Sequence, residues 1–167
     1  MFREMRRKAQ KLSSEENVEV LKKATSGVLA VLGDEDYPYA VPVSYAYNDG
    51  CIYIHGAMSG HRRDAVLQHD KASFCVIDTD DVIPELRTSS YRSVIAFGKA
   101  SIVEDEKEKY NAMVLLGQKY SAGYEEATLE EIRTTWPQTC VTKIEIEHMT
   151  GKAGLEYLKK KAEGCAP

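Results

Sequence analysis

The chain has 167 residues, 43% of them hydrophobic and 29% charged, with a formal net charge of -4. That length suits one domain with one sizeable core, expected over residues 1–167, and the acidic balance leaves no basic footprint for a nucleic acid. No apolar run approaches a membrane span, and the charged residues 1–8 lack the apolar stretch of a secretory signal.

In chain order, Ser13 with Glu16 three residues later forms a capping box, so a helix is expected over about 13–24, ended by Gly27. Residues 28–32 read as a short apolar strand and 33–36 as a turn. Residues 39–47 read as one strand with Tyr39, Val41, Val43, Tyr45 and Tyr47 on a bulky face and Ala40, Pro42, Ser44 and Ala46 on a small one. Pro42 lacks an N–H, which places it at an edge or a break in pairing. The Asn48-Asp49-Gly50 turn leads back into an antiparallel strand over 51–55. A helix over about 60–69 and a strand over 72–78 follow. Residues 79–90, with Pro84, read as a polar loop, and 91–104 as a strand with a bulge at Gly98. A helix over 106–120 carries Tyr110, Met113, Val114 and Gly117 on one stripe. A loop over 121–127, a short helix capped by Thr128 and ended before Pro137, a strand over 139–149, a break bracketed by Gly151 and Gly154, and a basic helix over about 154–162 complete the chain. Six strands at short spacing, without β-α-β alternation, predict a mainly β fold with added helices, built on an antiparallel closed or partly closed sheet.

The most informative segment runs from Ile52 to Val66. A strand ends at His55, small residues bend the chain, and the next helix starts with His61, Arg62 and Arg63. A helix start is already electropositive, so three basic residues there break a local rule that an anion would repair. Phosphate is the usual anion at such a site. Gly56, Ser59 and Gly60 let the backbone present its N–H groups. Next to the small-faced strand, this phosphate grip suits a flat ring with a phosphate tail, of which flavin mononucleotide (FMN) is one example.

Other chemistries find little support. Cys51, Cys75, Cys140 and Cys165 form no C-x-x-C pair, and free thiols suit a reducing cytoplasm. His55 and His61 lack a third ligand, so no metal site is expected. No G-x-S-x-G, Walker or dinucleotide motif is present. The Asp78–Asp81 run reads as a solvated turn.

The segments Tyr37–Tyr45, Ile52–Asp64 (with its H-G-A-x-x-G-H block), Tyr91–Gly98 and Ile146–Lys152 together resemble the nitroimidazole-resistance (nitroimidazole reductase-like) proteins. These are pyridoxamine 5'-phosphate oxidase-like flavoproteins of the FMN-binding split-barrel fold. The similarity covers about Arg6 to Lys152. It implies a six-stranded Greek-key split barrel that forms a homodimer, with FMN at the subunit interface. On this resemblance, Val41, Pro42 and Val43 line the isoalloxazine, while His55, Gly56 and Ala57 meet the ring edge and ribityl chain. His61 and Arg62 hold the phosphate, with Arg63 helping, and Tyr91 and Ser93 approach from the partner subunit. Trp136 is assigned a covering position. The fuller basic and aromatic set of authentic pyridoxamine phosphate oxidases is missing, so vitamin B6 oxidation is not expected. The resulting expectation is a cytoplasmic FMN-dependent oxidoreductase that reduces small nitroaromatic or quinone-like acceptors. NAD(P)H is the candidate donor, and His55 the candidate catalytic group beside the acceptor. The alternative is a non-catalytic FMN or haem carrier or redox sensor.

Overall fold

The computed structural model describes residues 1–164, so Cys165 lies outside the described residues. Helix α1 (Ser14–Lys23) starts at the expected capping box: the Ser13 hydroxyl accepts from Glu16 N–H at 3.2 Å, and Ser13 N–H donates to the Glu16 carboxylate at 2.7 Å. Seven strands follow: β1 (Gly27–Leu32), β2 (Pro38–Val43), β3 (Ala46–Asn48), β4 (Cys51–Ala57), β5 (Lys71–Ile83), β6 (Thr88–Ile102) and β7 (Thr139–Ala153). Helices α2 (His61–Gln68), α3 (Glu106–Tyr120), α4 (Glu125–Thr135) and α5 (Leu155–Ala162) are inserted between or after them. Every ladder is antiparallel, in the order β2-β1-β5-β6-β7-β4-β3.

This is the expected split barrel, with one strand more than the sequence predicts. Residues 39–47 are continuous chain but occupy both edges of the sheet, as β2 at one and β3 at the other. Between them the alternation fails, because Tyr45 and Ala46 are both buried. Ser44 and Tyr45 leave the ladder, and a side chain satisfies the freed backbone. The Tyr120 hydroxyl accepts Tyr45 N–H at 2.8 Å and lies 2.8 Å from Tyr45 O and 2.6 Å from Thr25 O. The sheet therefore curls until one bent segment joins its two edges without closing the ladder. Pro42 sits on edge strand β2, where a missing donor costs nothing.

The barrel interior is filled by alternate residues such as Leu29, Ile52, Ile54, Phe74, Val76, Val94 and Ile144, all fully buried. Val20 and Leu21 of α1, Ala65 and Val66 of α2, and Tyr157 of α5 pack into the same cluster. A smaller cluster of Val103, Ala112 and Val141, with Tyr53 and Met113 against it, forms where α3 covers the other face of β4 and β7.

Four expectations are corrected. Residues 79–90 are not a loop: β5 and β6 stay paired out to Ile83 and Thr88, and a 3-10 turn over Pro84–Leu86 joins them. Both faces of this extension are largely open, so no apolar alternation marks it in the sequence. The ladder skips one residue between Ile77 and Thr79, and that bulge turns Asp78 inward. Asp78 is therefore no solvated turn residue; its side chain is 3% exposed and meets Arg92 Nε at 2.7 Å. Helix α4 begins at Glu125 rather than at a Thr128 cap, and Thr128 instead faces Gly117 of α3. Strand β7 runs through Gly151 to Ala153, leaving only Gly154 at the break. The expected bulge near Gly98 is present, with the extra residue on β7.

Candidate functional site

Strand β4 ends at Ala57 and α2 begins at His61. Gly60 turns the chain at φ 127°, in the region that favours glycine, and has no side chain to cap the first N–H groups of α2. The electropositive helix start thus stays open. A cleft of about 230 Å³ lies beside it, lined by Tyr39, Val41, Ala57, Ser59, Gly60, His61, Arg62 and Arg63.

The three basic side chains are held differently. Arg62 folds back over β4, where its Nη2 donates to His55 O at 3.1 Å. A Cβ on Gly56 would collide with that nitrogen, so the glycine is the seat of the guanidinium. The His61 ring stacks on Tyr39 with centroids 4.1 Å apart. Its Nε2 accepts Asp34 N–H at 3.3 Å and lies 3.8 Å from the Asp34 carboxylate. An accepting Nε2 carries no proton, which leaves Nδ1 as the donor of the neutral ring. Arg63 is the least satisfied: its Nε is buried without a partner among the described residues, and Nη1 approaches Asp64 only to 3.9 Å. A buried donor left unmade costs about 1–3 kcal/mol.

His55, one residue before Gly56, looks into a second cavity of about 490 Å³ between β4 and the α3–α4 pair. Glycine and alanine at positions 56 and 57 line it too, so the two cavities share the end of β4. The imidazole pKa is held below its ordinary value, first by burial and then by the Arg62 charge, with Glu131 pulling the other way. A still larger open depression, about 680 Å³, lies along α3 by Tyr53 and Glu108 and contains none of the candidate cofactor-binding or catalytic residues.

Of those residues, Val41, Ala57, His61, Arg62 and Arg63 share the cleft, with Gly56 beneath Arg62. Pro42 is exposed on the outer side of β2, while Val43 turns with Val41 towards the core. Tyr91 and Ser93 lie on β6 outside the cleft; Lys152 Nζ is 5.2 Å from the Tyr91 ring centre, and Ser93 pairs with Ile77 and Lys152. The covering position assigned to Trp136 is corrected. Its indole donates to Glu106 at 2.9 Å, Lys109 Nζ sits 4.1 Å over the ring, and it lines neither cavity. Sequence reasoning missed Tyr39 and Asp34 around His61, and Tyr120 and Glu131 in the second cavity. Each is brought in by a contact distant in sequence, so no local signal marks them.

The outer sheet face also carries exposed apolar side chains. Val28 pairs with Pro42 and Cys75, Cys75 with Ile95, and Ile77, Ile95 and Phe97 are all exposed. Among the described residues, no three His, Cys, Asp or Glu are grouped to hold a metal ion, and no helix is long and apolar enough to cross a membrane.

A family model for pyridoxamine 5'-phosphate oxidase matches residues 13–153. No curated protein matches. Among solved structures, a protein of Bacteroides thetaiotaomicron named as a proposed 5-nitroimidazole antibiotic resistance protein is 19% identical, with a TM-score of 0.70 over 86% of each chain. A flavocytochrome from Azotobacter vinelandii is 18% identical with a TM-score of 0.75, over 90% of this chain and 72% of that one. An FAD-binding protein from Mesorhizobium loti is 25% identical with a TM-score of 0.57, over 86% of this chain and 95% of that one.

Proposed function

From the premise that the chain belongs to the pyridoxamine 5'-phosphate oxidase family, whose model spans residues 13–153, we propose that it is a flavin-binding redox protein. It holds FMN by the phosphate at the start of α2 and reduces small nitroaromatic or quinone-like acceptors. One observation carries the reading: Arg63 keeps a buried, unpartnered Nε beside an uncapped helix start. A dianionic phosphate there engages the exposed part of the Arg63 guanidinium, the free N–H groups of α2 and the Ser59 hydroxyl together. Gly56 supports the fit, because it lets Arg62 lie flat on β4 with its remaining donors near the same cleft.

When bound, FMN supplies the electron transfer, taking electrons from a donor such as NAD(P)H and passing them to the acceptor. The chain's own residues bind and orient. Arg63 and Arg62 hold the phosphate, while His61, locked against Tyr39 and Asp34, offers its Nδ1 proton. Val41, Pro42, Val43 and Ala57 guide the rest of the molecule along β2 and β4. His55, whose pKa is held below its ordinary value by burial and the Arg62 charge, offers a hydrogen bond from its neutral ring at the acceptor's polar edge. In this reading the apolar outer face of β1, β5 and β6 pairs with a second copy in a cytoplasmic homodimer, and Tyr91 and Ser93 complete the neighbouring site. The names of the two flavin-binding neighbours, a flavocytochrome and an FAD-binding protein, support the cofactor class.

The test is an absorption spectrum of the purified protein, followed by dialysis and titration with FMN. A flavin spectrum, and quenched fluorescence on re-addition, is the expected result. A Soret band replaces this reading with a haem carrier, and unquenched FMN removes it.

A further inference from the structure

The second cavity differs in charge from the cleft beside it. The cleft carries three basic residues; of the described residues lining the cavity, Glu131 alone bears a full charge. Its floor is His55 and the small residues Gly56 and Ala57. Met113 and Leu116 of α3 and Ile132 of α4 supply apolar wall, and Tyr120, its hydroxyl engaged by Tyr45 and Thr25, lines one side. The wall is one unit, because a Cβ on Gly117 would run into the Thr128 side chain and the two helices interlock there. At about 490 Å³ the space is within the range of small-molecule sites.

The geometry points to this chamber as the second-substrate site, taking a flat, unphosphorylated aromatic ring that is neutral or cationic, with Glu131 selecting its charge and His55 hydrogen-bonding its polar edge. The inference rests on the flavin reading for the word substrate, but the charge selection stands on the chamber alone. Anions are drawn to the arginine side of Ala57 and repelled on the Glu131 side, so the two cavities sort ligands by charge across one strand end. The groups facing His55 are Glu131 from α4 and Tyr120 from α3, with Arg62 behind it on its own carbonyl. A neutral imidazole between them can donate or accept.

Benzamidine, benzamide and benzoate share one shape and carry charges of about +1, 0 and -1 near neutral pH, well away from their pKa values. Calorimetric titration of the full chain should give benzamidine at least tenfold tighter than benzoate, with benzamide between them. Trp136 lies between lining residues Thr135 and Gln138 and provides a fluorescence readout. Glu131→Gln should bring benzamidine level with benzamide, and Glu131→Lys should reverse the order, both with unchanged FMN affinity and melting temperature. Saturating FMN should leave benzamidine binding within twofold. Benzoate binding as tightly as benzamidine, an unchanged order in Glu131→Gln, or no binding of any probe at millimolar concentration overturns the inference. So does one-for-one displacement by FMN, which would make the chamber the flavin's own ring pocket. If FMN fails to bind while the charge order holds, the flavin reading falls and the cation-selecting chamber remains.

Discussion

Two arginine sites in this protein use the same side chain for opposite ends. Arg92, on β6, is 3% exposed, and each of its three nitrogens is engaged: Nε meets Asp78 at 2.7 Å, and Nη1 and Nη2 each meet Glu19 at 3.1 Å. The Tyr157 ring lies 5.2 Å from its guanidinium carbon. The site ties α1, β5, β6 and α5 together and has nothing left to offer a ligand. Arg63 at the start of α2 is partly exposed, has a buried Nε without a partner, and has only a distant acid. The paired set is explained by the fold alone, whereas the unpaired donor of Arg63 beside a cleft is the feature on which the proposed phosphate site rests.

The largest effect should come from Arg92→Met. It leaves the Asp78 carboxylate buried without its partner and should cost about 3–5 kcal/mol in chemical denaturation. The protein that remains folded should keep its preference for FMN over riboflavin. Adding Asp78→Leu should recover most of the loss, since replacing a buried pair by apolar groups is often close to neutral; no recovery would show that the pair does more than neutralise itself. Arg63→Ala should do the reverse. Its melting temperature should hold or rise slightly, while FMN affinity falls about tenfold to a hundredfold, for a charge-assisted bond of about 1.5–3 kcal/mol. Gly56→Ala should follow, because the added methyl displaces Arg62 from its seat; several-fold weaker FMN binding with a small stability loss is expected in a titration and a thermal melt. The smallest effect is on His55. Its folded pKa is depressed, so as pH falls through the ordinary histidine range the unfolded chain takes the proton first and stability is lost. Glu131→Gln should lower the His55 pKa further, and Arg62→Ala should raise it, both readable from the ring proton shifts in an NMR titration.

How much of this was legible in the sequence depends on how locally each feature is decided. The capping box of α1 and the Asn48-Asp49-Gly50 turn, with φ of 46° at Asp49 and 79° at Gly50, follow from neighbouring residues. The crowding of His61, Arg62 and Arg63 at a helix start is local as well, so the candidate site's position could be proposed directly from the sequence. Asp78 was misread because a one-residue bulge, not its acidic neighbours, sets where it points. The break at Ser44 and Tyr45 depends on the Tyr120 hydroxyl, 75 residues away. The resemblance places Arg62 ahead of Arg63 at the phosphate; that the His55 carbonyl engages Arg62 is decided only by the folded chain.

The decisive measurement is the ratio of FMN to riboflavin affinity in the unmodified protein and in Arg63→Ala, titrated side by side at low and moderate salt. A wild-type ratio well above one that collapses towards one in the variant, with riboflavin binding barely changed, is the predicted result. Equal losses for both ligands, or a ratio already near one in the unmodified chain, would contradict the assignment of the α2 start to a phosphate.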